Sequence, residues 1–272
     1  YTFLPLSLQR KWHFFNPKLG MEYKLQGHRL NISFAMTHRE PTRTNFLEAD
    51  SLQSPRAERL FDTEIGYFYA FQAACSGVVG VNLYCMYYHD QLIATGDLSR
   101  LSYTSLTNVA HSYRTGIECS YRLDFTRWLT WEGNLCWSRN QWKRTDQHWN
   151  TISFSPSWTA FNALDFHYAG FRGKMENQVV SSQYLDNTES RSARLKAYTV
   201  TNLNLSYQLP LAKWSHHQAK NVWQGLPEVR IKCLINNLFN TKYCSNGGST
   251  DGYVWFYPQA TINVHAGICV KW

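Results

Sequence analysis

Apolar residues recur at every second position in segment after segment of this chain. In residues 30–36 the apolar set is Leu30, Ile32, Phe34 and Met36, with Asn31, Ser33 and Ala35 between them. In 79–87 it is Val79, Val81, Leu83, Cys85 and Tyr87, against Gly80, Asn82, Tyr84 and Met86. Residues 63–71, 129–137, 203–209 and 229–235 repeat the pattern. The clearest case closes the sequence: Ile262, Val264, Ala266, Ile268, Val270 and the terminal Trp272 alternate with Asn263, His265, Gly267, Cys269 and Lys271. Strand side chains alternate between faces, so each segment predicts a β-strand with one apolar and one polar or small face. Roughly eleven such strands are predicted, or twelve if residues 2–8 form one.

The links between them alternate in length. Residues 25–28, 72–76, 122–127 and 161–165 read as short turns. Residues 37–59, 90–108, 139–150, 181–195 and 237–257 read as long polar loops. The stretch 210–225 breaks the rule, since it should be short and is not. Long loops on one side and short turns on the other predict a transmembrane barrel rather than a soluble sandwich. If the long loops are extracellular, the end of the chain is periplasmic.

Composition adjusts this picture at a few points. Aromatics make up 16%, with 17 Tyr, 15 Phe and 11 Trp, enough for interfacial girdles. Trp128, Trp131, Trp137, Trp158, Tyr207 and Trp272 sit at predicted strand ends and suit that role. No run approaches the roughly 18–20 apolar residues of a spanning helix. The net charge is +8, but the bases are scattered along strands and loops, which argues against a nucleic-acid partner. Seven Cys show no metal-binding spacing, and the ten His do not converge, so neither a metal site nor a cofactor is expected. His216-His217 falls in a predicted periplasmic stretch. No nucleophile elbow, P-loop or dinucleotide turn is present, and the chain reads as a non-enzyme. Outer-membrane phospholipases are barrels of similar size, but no motif ties His89 to Ser112. With neither an initiator Met nor a signal peptide at Tyr1, a piece of a longer protein is expected.

Five motifs, in order, carry a family resemblance. Phe15-Asn16-Pro17-Lys18-Leu19-Gly20 is similar to a strand opening FNPKLGL. Arg39-Glu40-Pro41-Thr42-Arg43 is similar to an arginine-proline loop start. Residues 56–67, with Glu58, Leu60, Glu64, Gly66 and Tyr67, resemble a P-E-x-L-x-x-x-E-x-G-Y strand. Asn108, Ser112, Gly116, Ile117 and Glu118 resemble an N-x-x-x-S-x-x-x-G-I-E strand. Asn236-Asn237-Leu238-Phe239-Asn240-Thr241-Lys242-Tyr243 resembles an NNLFNxKY segment. Together they resemble the C-terminal half of the barrel of TonB-dependent outer-membrane receptors, especially the iron-complex type of Bacteroidetes-like bacteria. Seven Cys, and Trp in place of the usual terminal Phe, depart from the family pattern.

The resemblance implies an all-β fold, an antiparallel up-and-down transmembrane β-barrel in the outer membrane of a Gram-negative bacterium. Residues 1–272 would supply 11–12 strands of a barrel of about 22, open on its own, with the plug domain and TonB box outside it. It further implies uptake of a scarce ligand, a ferric siderophore or similar chelate. Implied partners are the TonB complex, the barrel-assembly machinery, and outer-membrane lipid with lipopolysaccharide. Candidate ligand-binding residues in the long loops are Arg39, Arg43, Trp142, Arg144, His148, Trp149, Tyr184, Tyr253 and Trp255, because cations and aromatics suit anionic aromatic chelates. The candidate assembly signal is Val264, Ala266, Ile268, Val270 and Trp272. Glu22, Lys24, Arg114, Glu118, Arg122, Glu132, Arg230 and Lys232 would form a charged inner wall. The competing reading is a small self-contained barrel acting as a passive pore, and a soluble all-β binding module is a third.

Overall fold

The structure, a computed structural model, describes residues 9–48, 54–98, 104–211, 227–250 and 252–271. Residues 2–8, His216-His217 and Trp272 therefore lie outside the described residues, as does most of 210–225. Strands β1 (Lys18–Leu25) and β2 (His28–Arg39) precede a short helix, α1 (Arg43–Glu48). Next come β3 (Glu58–Gln72), β4 (Ser76–Leu98), β5 (Thr104–Thr126), β6 (Leu129–Lys143) and the short β7 (Trp149–Thr151). β8 (Trp158–Tyr168) and β9 (Phe171–Val180) are followed by the small β10 (Gln183–Tyr184) and β11 (Arg194–Leu195). Then follow β12 (Tyr198–Gln208), β13 (Glu228–Asn236), the hairpin of β14 (Cys244–Thr250) and β15 (Tyr253–Pro258), and β16 (Asn263–Lys271).

One antiparallel meander runs β1-β2-β3-β4-β5-β6-β8-β9-β12-β13-β16, with β7 added beside β6. The pairs β10–β11 and β14–β15 form two small separate sheets. Among the described residues, each edge strand, β1 and β16, pairs on one side only.

Register turns the sequence alternation into two continuous surfaces. Ile32, Ile65, Leu83, Ile117 and Trp137 are successive cross-strand partners from β2 to β6. One position over, Asn31, Gly66, Asn82, Glu118 and Cys136 form the matching polar row. Further along the sheet, Met175, Leu203, Ile235 and Val264 line up in the same way. In β16, Val270 pairs with Val229 while Lys271 pairs with Glu228, so the two lie on opposite faces. A slip of one residue anywhere would put polar groups into the apolar surface.

The apolar surface is uncovered, with Ile268 as much as 71% exposed. Such an area on a water-soluble monomer would drive association, but it suits lipid. From Phe61 to Phe71 the apolar face of β3 runs about 34 Å at ~3.4 Å per residue. A tilt of about 45° reduces that to ~25 Å, the height of the apolar band of an outer-membrane barrel. The polar surface lines a cavity of about 830 Å³, surrounded by Glu22, Arg29, Asn31, Glu64, Asn82 and Glu118 from β1 to β5.

The short links are tight. Gln26-Gly27 and Ala169-Gly170 carry φ of 46° and 86°, and of 50° and 85°, the all-positive pair that a two-residue hairpin requires. Three expected links move. Residues 122–126 end strand β5, and the turn expected over 122–127 is confined to Arg127–Trp128. Residues 161–165 are not a turn but the interior of β8. Asn162 and Asp165 read as turn formers, yet each has a partner in the sheet: the Tyr121 hydroxyl donates to Asn162 Oδ1, and Arg172 donates to Asp165 at 2.5 and 3.1 Å. Nor is 90–108 an irregular loop, because β4 and β5 extend through most of it as a paired ribbon. In this ribbon the packing is local, Ile93 and Val109 against Trp142, so the sequence loses the regular alternation that marks the strands lower down.

The segment resembling NNLFNxKY is a corner. Asn237 and Asn240 adopt left-handed φ of 51° and 53°. The Asn237 amide donates to the carbonyls of Thr241 and Ala260 at 2.9 and 3.1 Å, and its Oδ1 accepts from Thr241 N at 2.8 Å. This side chain thus ties the end of β13 to the approach to β16. Asn237→Ala should cost about 2–4 kcal/mol, from lost hydrogen bonds and left-handed backbone strain. Asn237→Gly should cost ~1 kcal/mol less, because glycine tolerates that backbone. Urea unfolding in lipid vesicles measures both, and equal losses would show that the hydrogen bonds alone hold the corner.

Candidate functional site

The buried apolar groups gather at the long-loop end of the sheet. Ile93, Val109 and Trp142 form one cluster, with Ile152 packed against it. Leu185, Ala193 and Leu195 form a second, with Cys244 and Val254 against it. The first joins the β4–β5 ribbon to the β6–β8 connection, and the second joins β10–β11 to the β14–β15 hairpin.

Asn187, 5% exposed, connects the two clusters. Its amide nitrogen donates to Ala94 O at 2.9 Å, its Oδ1 accepts from Ser153 N at 2.7 Å, and its carbonyl accepts from Asn150 Nδ2 at 3.2 Å. Glu189 adds a bond from Thr151 N at 2.6 Å. Three loops far apart in sequence are therefore fixed to one another.

A comparable fastening holds the start of β3. Glu58 is buried, accepts from Arg39 at 2.6 Å and from Leu92 N at 2.8 Å, and so joins β2 to the β4 ribbon. Arg56 bonds Asp90 at 2.5 Å, and Asn108 donates to the carbonyls of both Asp90 and Arg56.

An open pocket of about 430 Å³ lies between the β11–β12 link and the β14–β15 hairpin. Arg194, Lys196 and Lys242 bring three exposed cations to it, and Tyr243 and Phe256 bring rings. Tyr198 packs on Tyr243 with ring centroids 4.5 Å apart, which fixes one wall. Arg194 also bonds Ser182 at 2.5 Å and lies 5.8 Å from the Tyr184 ring centre.

The residues expected to bind ligand divide into several groups. Trp142 does not face outside water: at 9% exposure it belongs to the first buried cluster, because the ribbon of β4 and β5 covers it. Trp149 pairs with Lys143 and packs edge-on against Tyr113 at 5.1 Å, on the face shared with Ile117 and Trp137. It stands with the lipid-facing aromatics rather than over the cavity. Arg39 is the partner of Glu58. Arg43 is exposed in the first turn of α1, which Thr42 and Asn45 cap reciprocally at 2.8 and 3.3 Å. Arg144 and His148 lie together in the turn before β7, Arg144 beside Asp146 at 3.5 Å. Tyr184 is half-buried beside Arg194. Tyr253, at 76%, and Trp255 are exposed on β15. Val264, Ala266, Ile268 and Val270 share the apolar face of the edge strand β16.

Asn187, Arg194, Lys196 and Lys242 were not singled out from sequence. Asn187 carries no local pattern, since its partners lie at positions 94, 150 and 153. Lys242 sits within the NNLFNxKY-like segment, but its role depends on where the corner at Asn237 sends the chain.

On the polar wall, Arg122 bonds Glu132 at 2.8 Å. Lys174 reaches Glu132 and Glu176 at 3.2 and 3.1 Å, and Glu176 accepts from Asn204 at 3.1 Å. Lys24 pairs with Glu22 at 2.7 Å, and Arg114 stacks 4.6 Å from the ring centre of Tyr88. The expected charged wall is therefore a linked network over part of its width. All seven cysteines are free.

A family model described as TonB dependent receptor-like, beta-barrel, matches residues 3–238. No curated protein matches the sequence. The fold is similar to that of the ferric-catecholate import receptor Fiu from E. coli K12, with a TM-score of 0.68 at 14% identity over 93% of this chain and 34% of that one. It is similar to the ferric yersiniabactin uptake receptor FyuA from Yersinia pestis, with a TM-score of 0.66 at 16% identity over 92% and 36%. It is also similar to the copper transporter OprC, with a TM-score of 0.69 at 15% identity over 93% and 39%. The chain thus spans little more than a third of the solved structures it matches.

Asn187→Ala should release the loops from one another while leaving the sheet intact. Hydrogen exchange at the Ser153 amide should then speed up, with Leu135 in β6 unchanged. Undiminished protection at Ser153 would mean that the two apolar clusters hold the loops without Asn187.

Proposed function

This chain belongs to the TonB-dependent receptor-like β-barrel family, whose barrels lie in the outer membrane, and we propose that it forms part of a receptor importing a large anionic chelate. The observation that carries this reading is the pocket with three cations and two rings among loops fixed to one another. Guanidinium and ammonium groups attract anionic oxygens through charge-assisted hydrogen bonds, and flat aromatic ligand groups stack on rings and guanidinium planes. A ferric siderophore of the catecholate type offers both. The structural neighbours are described as carrying ferric catecholate, ferric yersiniabactin and copper on one fold, so cargo choice rests on loops.

Arg144, His148, Tyr253 and Trp255, exposed on the same side, would widen the contact rim. Transport requires energy and a moving element within the barrel, and both belong to the whole receptor coupled to TonB. The edge strand β16, with Val264, Ala266, Ile268 and Val270 on its apolar face, is the segment we assign to recognition by the barrel-assembly machinery. The passive-pore reading would need β16 paired to β1, whereas each has one partner among the described residues.

In the full receptor, replacing Arg194, Lys196 and Lys242 together with Ala should weaken binding of a ferric tris-catecholate at least about 100-fold, since each charge-assisted bond contributes ~1.5–3 kcal/mol. Trp149→Ala should leave affinity unchanged. Quenching of intrinsic fluorescence on titration reads the affinity. Wild-type affinity in the triple variant, at normal outer-membrane levels, would remove this pocket from the binding site.

A further inference from the structure

One row of the outward face is polar where its neighbours are apolar. Tyr121, Gly133, Asn162, Asn177 and Thr201 are successive cross-strand partners from β5 to β12. The parallel row of Trp131, Leu164, Met175 and Leu203 is wholly apolar. On β8 the outward set is Trp158, Ala160, Asn162, Leu164 and Phe166, whereas Ala163 stands on the cavity face between Glu132 and Glu176. Asn162 is four residues from Trp158 and four from Phe166. At ~3.4 Å per residue and a tilt of about 45°, it lies roughly 10 Å from either aromatic end of the strand, well inside the apolar band.

The hydrogen bonds of this row run outward from its centre. A Cβ at Gly133 would meet Tyr121 Oη at 2.6 Å, so it is the glycine that lets the tyrosine cross β6 and donate its hydroxyl to Asn162 Oδ1. On the other side, Asn177 Nδ2 donates to Thr201 Oγ1 at 2.9 Å and to Val200 O at 3.4 Å. Two polar groups are left over. Among the described residues, Asn162 Nδ2 donates to no acceptor and Asn177 Oδ1 accepts from no donor. Both side chains are only half-buried, and hydrocarbon offers them no partner, so leaving them unbonded there is costly. Beside them lies an open hollow of about 350 Å³, lined by Phe125, Trp131, Leu164, Met175 and the two asparagines.

We propose that this part of the wall is the contact between two copies of the receptor in the membrane. Hydrogen-bond complementarity selects the occupant. The groups left over are one donor and one acceptor, on residues directly opposite each other in the sheet. A twofold axis between them sets Asn162 of each copy against Asn177 of the partner subunit, so a single self-complementary patch satisfies both copies at once. A lipid tail supplies neither group. Polar side chains that bond across a contact hold membrane segments together where burial of apolar area gives no driving force, and the hollow receives an apolar side chain from the facing wall. The contact rests on the outer-membrane placement of the barrel and is independent of what the receptor carries.

The test uses the full receptor in phosphatidylcholine vesicles, with one fluorophore per copy, its oligomeric state read by single-molecule photobleaching over a range of protein-to-lipid ratios. Wild type should pass from one bleaching step to two as its density rises. Changing Asn162 and Asn177 together to Leu removes the amides and keeps the wall apolar. It should weaken dimerisation about tenfold, the effect of two polar contacts of ordinary strength in a membrane. Val81→Leu, on the outward face of β4, should change nothing. With the seven native cysteines replaced, oxidation should cross-link the Met175→Cys variant to itself and leave the Val81→Cys variant monomeric. Heat-modifiable migration checks that each variant is folded, and affinity for a ferric chelate should be the same in the double variant as in wild type. Single-step bleaching of wild type at every density, or undiminished dimerisation in the folded double variant, would overturn the proposal. So would cross-linking of the Met175→Cys variant in cells to a protein of another mass, which would give the wall to a different membrane partner.

Discussion

In hydrocarbon a backbone amide has no water to bond, so a strand that crosses a membrane must pair along its length with neighbours on both sides. This constraint sets the register of the sheet, and the register sets nearly everything else. Because pairing is in phase from β2 to β16, the apolar positions of the strands fuse into one surface and the polar positions into another. The lipid face can then do without a second protein layer. The polar face can carry a network such as Arg122–Glu132–Lys174–Glu176. Among the described residues the two edges, β1 and β16, pair on one side only, and in a barrel the other side is met by further strands.

Buried apolar packing is displaced to where the bilayer ends. The loops cannot rely on lipid, so they form small cores of their own around Trp142 and Leu195 and bond through the buried amide of Asn187. Exposed cations and rings at this end stand on connected supports, and under the proposed function a ligand would not have to order them at the moment of binding. The same arrangement explains why aromatic loop residues differ in role. Trp142 is structural, Trp149 stands on the apolar face, and Trp255 is exposed on β15 with its indole N–H donated to Tyr257 Oη.

Much of the barrel was legible in the sequence because period-two alternation is a local property of each strand. Ile65, Leu83 and Val270 declare their face through their immediate neighbours. Legibility failed where polarity has a second cause. Asn162 and Asp165 look like turn residues until Tyr121 and Arg172 are found across the sheet. The upper halves of β4 and β5 look like loop because polar residues interrupt the alternation, and their apolar contact, Ile93 and Val109 on Trp142, lies across the sheet. The site was less legible still. Cations and aromatics in long loops pointed to the end of the molecule where the proposed pocket lies, but Arg194, Lys196 and Lys242 are brought together by the corner at Asn237 and by contacts distant in sequence.

The claim on which this account depends is that alternate residues of a strand face lipid and water in a single phase. A nitroxide placed in turn at positions 78–87 of β4, with the seven native cysteines replaced, reads that directly through its accessibility to oxygen and to a water-soluble nickel chelate. The account predicts oxygen maxima at Val79, Val81, Leu83, Cys85 and Tyr87, and nickel maxima at Val78, Gly80, Asn82, Tyr84 and Met86. A reversed phase, or accessibility without a period of two, would contradict it.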